Sequence, residues 1–387
     1  MARARSASAI QSKIQMVLYG ETFTGKSTLA LQFAYMKNAD GSPFKVLYID
    51  PESGSVDDYI GELVENGVDP QNLYIVYSQS LEEIRQYLAK AKNREDYYVL
   101  DDDGNETDEV VLDADGKPFR PDAIVVDGAT ILNMTTKQGL IEFSKKRARV
   151  KANAAGLVGE EKLVKIEGAS LEIRDYGTVN FKGQDLILDL NASGLHYIVT
   201  AREADEKMQI KNSKGEVETV STGKKIPAGF KDMQYNCKTC VRMFRDDKDY
   251  EVVHAFIVKD RTGVHTAGED IIDPSLLDYQ AIIDRTAKNT NLVIKNNLHD
   301  AVKTEEHIYT KEFGVDEEPE AAKVAATEKP ADIIQRINSM LSGKSPMLKK
   351  KAKDACAAAG LPTAFQKLTD VKELEEIEAV IKKELAE

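Results

Sequence analysis

Apolar residues in the first third of the chain fall in short continuous blocks, at Ile14 to Tyr19, Lys45 to Ile49 and Leu73 to Tyr77. Each block has the length of a buried strand, and unbroken rather than alternating apolar character suits a parallel sheet covered on both faces. Thr28 to Lys37 reads as a helix between the first two, and Ser80-Leu81-Glu82-Glu83 forms a capping box opening a helix to about Lys92. Strand and helix therefore alternate, which predicts the α/β class with a mainly parallel sheet.

The rhythm breaks over 98–121, an acidic stretch in which the turn signals Asp103-Gly104-Asn105 and Ala114-Asp115-Gly116 flank Val110-Val111-Leu112, so a surface β-hairpin insertion is expected. A buried strand follows at Ala123 to Asp127, then a mostly helical segment to about Ser193 and a β-rich run from Leu195 to Thr200. Residues 203–236 are polar, with Lys207, Lys211, Lys214, Lys224, Lys225 and Lys231 among three glycines, and read as a mobile basic loop or hairpin. Two strands, Cys240 to Phe244 and Tyr250 to Val258, surround a charged turn. The core is expected to span 13–310, behind a flexible basic start at 1–12 and ahead of an Ala-, Glu- and Pro-rich linker at 311–330. In the tail, 331–387, Ile333, Ile334, Ile337, Met340 and Leu341 recur at helical spacing, as do Val371, Leu374, Ile377, Val380, Ile381 and Leu385. A small helical module with a Lys-rich middle helix is expected there.

Composition changes this picture little. The 387 residues are 42% hydrophobic and 30% charged, ordinary for a globular chain, and no stretch reaches the roughly 20 apolar residues of a membrane span. No signal-peptide pattern follows the basic start, and three cysteines make no disulfide framework, so a cytoplasmic protein is expected. The net charge of −13 excludes a uniformly basic nucleic-acid binder but not a local basic element.

The chemistry lies at Gly20-Glu21-Thr22-Phe23-Thr24-Gly25-Lys26-Ser27, a complete phosphate-binding loop between a strand and a helix, with Thr28 following. Gly20 and Gly25 let the backbone turn N–H groups toward phosphate oxygens. Lys26 supplies charge to the β- and γ-phosphates of ATP, and Ser27 a hydroxyl ligand to Mg²⁺. Asp127, ending an apolar strand, is the second metal ligand. Glu52, just past the C-terminal end of the second strand, stands where open α/β sheets bind ligands and is the candidate base. Cys237-Lys238-Thr239-Cys240 lacks two further zinc ligands at suitable spacing and reads as strand residues.

Asp50-Pro51-Glu52 resembles the Asp-x-Glu of RecA-like ATPases, and Gly128 beside Asp127 sets the chain apart from families that keep their catalytic glutamate there. Lys259-Asp260-Arg261 is similar to the Lys-x-Arg element that RecA-like proteins insert into a neighbour's ATP site, a role of the arginine-finger kind. The overall order, over about 13–270, resembles the short RecA-like ATPases of bacteriophages associated with single-strand annealing and recombination. That resemblance implies a RecA-like P-loop core, ATP hydrolysis stimulated by single-stranded DNA, and a homo-oligomeric ring or filament with ATP sites between protomers. It also makes Thr200 and Arg202 candidate nucleotide sensors beside a DNA-binding loop. The basic run Lys145-Lys146-Arg147-Ala148-Arg149-Val150-Lys151 is a second candidate for phosphate contact, or a solvated helix face. A regulatory ATPase acting on a protein partner through the helical tail, including Lys349 to Lys353, is the alternative.

Overall fold

The computed structural model describes residues 12–286 apart from 102–103, 212–214 and 247, and, beyond 301, isolated positions at 302–308 and most of 330–386. Residues 1–11 of the N-terminal segment expected at 1–12, residues 311–329 of the linker expected at 311–330, and Lys214 lie outside the described residues. The chain divides into two compact units, Met1–Val302 and Lys303–Glu387.

The first unit is α/β and built on a nine-stranded, mostly parallel sheet. Its parallel members are β1 (Gln15–Gly20), β2 (Val46–Ile49), β3 (Leu73–Val76), β6 (Ala123–Asp127), β7 (His196–Lys211) and β9 (Thr239–Arg245), in the spatial order β9-β1-β7-β6-β2-β3. Antiparallel strands β10 (Val253–Asp260) and β11 (Asp270–Ile272) extend it beyond β9. Strand β7 thus separates the strand that enters the phosphate loop from the strand that ends in Asp127, so Thr200 stands beside Asp127 in register. Two apolar layers cover the faces. One packs Leu81, Ile84, Leu88, Leu186 and Leu190 of α3 (Leu81–Asn93) and α6 (Ile173–Ser193) on the sheet, and the other packs Leu29, Phe33, Leu63 and Tyr279. Continuous apolar runs such as Ala123 to Val126, all fully buried, follow from that two-sided coverage.

Several expected elements are corrected in extent. The helix after the phosphate loop, α1, spans only Lys26–Leu31 and tightens into a 3₁₀ turn over Gln32–Tyr35. The helical segment divides into α4 (Ala129–Ala154), α5 (Gly159–Glu167) and α6. The 98–121 segment does form a hairpin, β4 (Tyr98–Leu100) against β5 (Glu106–Val110), with a second turn closed at Leu112 and Pro118. It is not purely superficial, because Phe119 is fully buried beside Tyr97 and Tyr74, and buried Asp113 pairs with Lys45 at 2.5 Å. Of the loop and the hairpin expected over 203–236, the described residues form the hairpin: β7 runs eleven residues past its last β6 partner, Thr200, and pairs with β8 (Val217–Pro227) in a long antiparallel arrangement. The element is not basic overall, since 203–236 holds six lysines and six carboxylates, and Lys225 is paired with Asp205 at 2.9 Å.

His196 starts β7 fully buried, where its Nδ1 accepts the Ile14 amide at 3.2 Å and its ring packs on Phe44. Burial, with Lys13 and Lys238 nearby, holds the imidazole well below its ordinary 6.5, so it folds neutral. The unfolded chain takes up this proton near the ordinary value and the folded chain does not. Stability from His196 is therefore complete above about pH 6.5 and lost progressively as pH falls. His196→Gln should flatten that acid-side decline in denaturant midpoints measured at about pH 7.5 and about pH 5.5.

The second unit packs helices Pro330–Leu341, Pro346–Ala358 and Val371–Ala386 around Ile333, Ile337, Cys356, Phe365, Leu374, Ile377 and Ile381. Arg336 grips Glu378 with two bonds of 2.7 and 2.8 Å. Among the described residues no helix is long and apolar enough to cross a membrane.

Candidate functional site

At the C-terminal edge of the parallel strands, the ends of β1, β2, β6 and β7 surround a cavity of about 260 Å³. Its lining includes Thr22, Phe23, Thr24, Gly25, Lys26, Ser27, Thr28, Glu52, Ser55, Asp127, Gly128, Thr200 and Arg202. The fold thus brings the loop, the candidate base and the candidate metal carboxylate to one place from the ends of β1, β2 and β6, with Thr200 and Arg202 added from β7.

Gly20 ends β1 where a side chain cannot fit: a Cβ there would lie 1.8 Å from the Met243 carbonyl oxygen of β9. Gly25 adopts φ 75, in the left-handed region, immediately before α1. Phe23 is left-handed too, at φ 59, a conformation an aromatic residue rarely takes and one the motif does not signal. Arg245 Nε holds it there through the Phe23 carbonyl at 2.7 Å. Thr24, buried, closes the loop by donating to the Glu21 carbonyl at 3.0 Å. The Lys26 ammonium folds back onto Glu21 O and Thr24 Oγ1. Burial pulls its pKa down, opposed by the charges of Asp127 and Glu52. The negative charge of a bound polyphosphate would offset that penalty.

Asp127 is 4% exposed and its carboxylate is held on both oxygens. Tyr48 Oη donates at 2.6 Å and Ser55 Oγ at 3.0 Å to Oδ2, while Thr200 Oγ1 donates at 2.5 Å to Oδ1. Burial and the adjacent Asp127 charge keep the Tyr48 phenol protonated, so it is a permanent donor. Ser27 and Asp127 face one cavity and offer a hydroxyl and a carboxylate, the hard oxygen donors that Mg²⁺ takes together with phosphate oxygens and water. Among the described residues no group of three or more His, Cys, Asp and Glu side chains can hold a metal alone.

The placement of Glu52 depends on Asp50. That side chain is fully buried and accepts four backbone amides, from Glu52, Ser53, Gly54 and Ser55, at 2.8 to 3.1 Å. The loop 51–55 is wound around this carboxylate, which presents Glu52 to the cavity and Ser55 to Asp127. Gly128 completes the arrangement, since a Cβ there would come 3.3 Å from Glu52 Cγ. Glu52 itself accepts from Arg202 Nη2 at 3.2 Å. Arg202 marks the point where β7 leaves the parallel sheet for the hairpin. Its amide donates to Thr130 Oγ1, Thr130 donates to the Ala228 carbonyl, and the Ala228 amide donates back to Arg202 O. The candidate base, the start of α4 and both strands of the hairpin therefore meet at one hydrogen-bonded knot. Among the side chains that hold Asp127 and Glu52 in place, the sequence singles out Thr200 and Arg202; Tyr48, Ser55 and Thr130 carry no local signal.

Lys259 and Arg261 are not brought to this cavity. They lie near the register positions of Cys240 and Thr239, at the opposite edge of the parallel strands from Gly20. The Lys259 ammonium caps the short helix Met233–Asn236, donating to the carbonyls of Gln234, Tyr235 and Cys237 at 3.0, 3.1 and 2.5 Å. The Arg261 side chain is exposed. Cys240 is a β9 residue, whereas Cys237 caps that short helix rather than lying in a strand.

No protein-family model matches the sequence, and no curated protein matches it. Among solved structures, a KaiC-like protein from the hyperthermophilic archaeon Pyrococcus horikoshii OT3 is similar over 68% of this chain and 91% of its own, at 14% identity and a TM-score of 0.36.

Proposed function

We propose that the chain is a RecA-like, Mg²⁺-dependent ATPase. The observation that carries this reading is the convergence of Lys26, Ser27, Asp127 and Glu52 on one cavity at the mouth of the phosphate loop. The polyphosphate of ATP would lie along the amides of residues 22–27, with the Lys26 ammonium turned from Glu21 O onto the β- and γ-oxygens. Mg²⁺, held by Ser27 and Asp127 when bound, supplies charge neutralisation of those phosphates. Glu52 accepts a proton from the attacking water as its oxygen bonds to the γ-phosphorus and the bond to the ADP oxygen breaks. Glu52 must first be released from Arg202, and the same arginine then lies close enough to sense the γ-phosphate.

Arg261, too far from this cavity to act within its own chain, would enter the site of a neighbouring protomer, so an oligomer with sites between subunits belongs to the proposal. Single-stranded DNA is the proposed effector, in the cytoplasm of a bacterial host. The β7–β8 hairpin carries exposed lysines and is bonded at its root to the residue that holds Glu52, which supports coupling between DNA engagement and turnover. The charge balance of the hairpin, with Met208, Ile210 and Val217 exposed on it, favours the second reading, a protein partner in place of DNA.

ATP hydrolysis measured with and without single-stranded DNA, at low and moderate salt, separates the two. Stimulation that weakens with salt, and is absent from Lys26→Ala, is the expected result. Turnover indifferent to DNA would transfer the assignment to the protein-partner switch, acting through the hairpin or the helical tail.

A further inference from the structure

On α4, Phe143, Arg147 and Lys151 are four residues apart and share one ridge of the helix. Arg147 and Lys151 of that ridge line a cavity of about 350 Å³ closed on the other side by Val164, Lys165 and Ser170 of α5 and the turn after it, with Phe143 one turn before Arg147. The cations of the basic run are not equivalent around it. Lys145 is committed to Glu142 and Glu167, at 3.1 and 2.9 Å. Arg147 uses Nη2 on Ser144 Oγ and Asp175 Oδ2, both at 2.6 Å, while its Nε is buried with no hydrogen-bond partner. Lys151 is 68% exposed, its ammonium 3.9 Å from the Glu172 carboxylate, which also lines the cavity. Phe143 lies half-exposed against the Arg147 guanidinium, 5.2 Å from the ring centre.

The exposed ammonium groups of Lys151 and Lys165, the Ser170 hydroxyl and the Arg147 guanidinium around one opening make a phosphate-sized anion site. An exposed aromatic ring braced by the same guanidinium is a stacking platform for a base. Paired in this way, they match the two requirements of single-strand binding: a cationic track for the backbone and a π-face for an unpaired base. We infer that the cavity between α4 and α5 holds one phosphodiester of a single-stranded nucleic acid, with the adjoining base stacked on Phe143. The site is separate from the β7–β8 hairpin and rests on the DNA reading proposed above.

The test is anisotropy of a labelled oligothymidylate bound by the full chain across a salt series, with ultraviolet cross-linking and peptide mapping. Lys151→Ala/Lys165→Ala should reduce the slope of log affinity against log salt by about 1.4, two contacts at roughly 0.7 each. Phe143→Ala should weaken binding on the order of tenfold and abolish the cross-link to the peptide carrying residue 143. A hairpin variant, Lys207→Ala/Lys211→Ala/Lys224→Ala, should leave that cross-link in place. Wild-type binding with affinity, slope and cross-links unchanged in the α4 and α5 variants would overturn this site while sparing the DNA reading. Failure of the wild type to bind oligothymidylate at any salt would overturn both.

Discussion

Glu52→Gln is expected to bind ATP as tightly as the wild type and to hydrolyse it about 10²–10⁴-fold more slowly, the usual contribution of a positioned general base. Glutamine preserves the volume and the bond accepted from Arg202, so the cavity should keep its shape, but it cannot take a proton from water. The discriminating measurement is a pair, nucleotide affinity by equilibrium titration and single-turnover hydrolysis of the γ-phosphate. Unchanged hydrolysis would remove Glu52 from the role of base. Equal loss of binding and hydrolysis would show that the residue shapes the site instead. Because Gly128 leaves the space beside Asp127 to the Glu52 side chain, no second carboxylate adjoins Asp127 in the chain to substitute for it.

Asp50→Ala should do nearly as much damage by a different route. Four amides lose a buried, charged acceptor, and an unsatisfied buried donor costs about 1–3 kcal/mol. The loop can recover part of that by opening to water, so a net loss of about 2–4 kcal/mol in stability is expected from these terms. Opening the loop also moves Glu52 and withdraws Ser55 from Asp127. A misplacement of about 1 Å at a reacting group can cost on the order of 10²-fold in rate. Asp50→Asn, which keeps an acceptor oxygen but not the charge, should fall between wild type and alanine in both melting temperature and turnover. Turnover that stayed at the wild-type level while melting temperature fell would make Asp50 a structural residue with no bearing on Glu52.

These two positions show how unevenly the site was legible. Glu52 and Asp50 stand in the same three-residue motif, yet only Glu52 is suggested by its place past a strand end. The contribution of Asp50 consists of hydrogen bonds to the amides of residues 52–55, and which way a buried carboxylate turns is not written in a local pattern. The charge balance of the hairpin is hidden from the sequence for a related reason. Its lysines stand together in the sequence, but the carboxylate that pairs with Lys225, Asp205, lies on the opposite strand, and that pairing depends on register. Lys259 matched a recognisable tripeptide, but its ammonium is turned onto three carbonyls of its own chain by the way the Met233–Asn236 helix ends beside β10.

What the sequence by itself determined is whatever rests on short-range periodicity and on a motif whose chemistry is self-contained. The unbroken apolar strands imposed the two-sided parallel sheet, and the phosphate loop carried its glycines, lysine and hydroxyl within eight consecutive residues. Tertiary structure alone decided what depends on meetings across the sheet: Tyr48, Ser55 and Thr200 on Asp127, Arg202 on Glu52, and the Met243 carbonyl that excludes any side chain at Gly20. Those meetings are set by strand order, and strand order follows from how helices cover both faces of the sheet, a property of the whole chain that no local window contains.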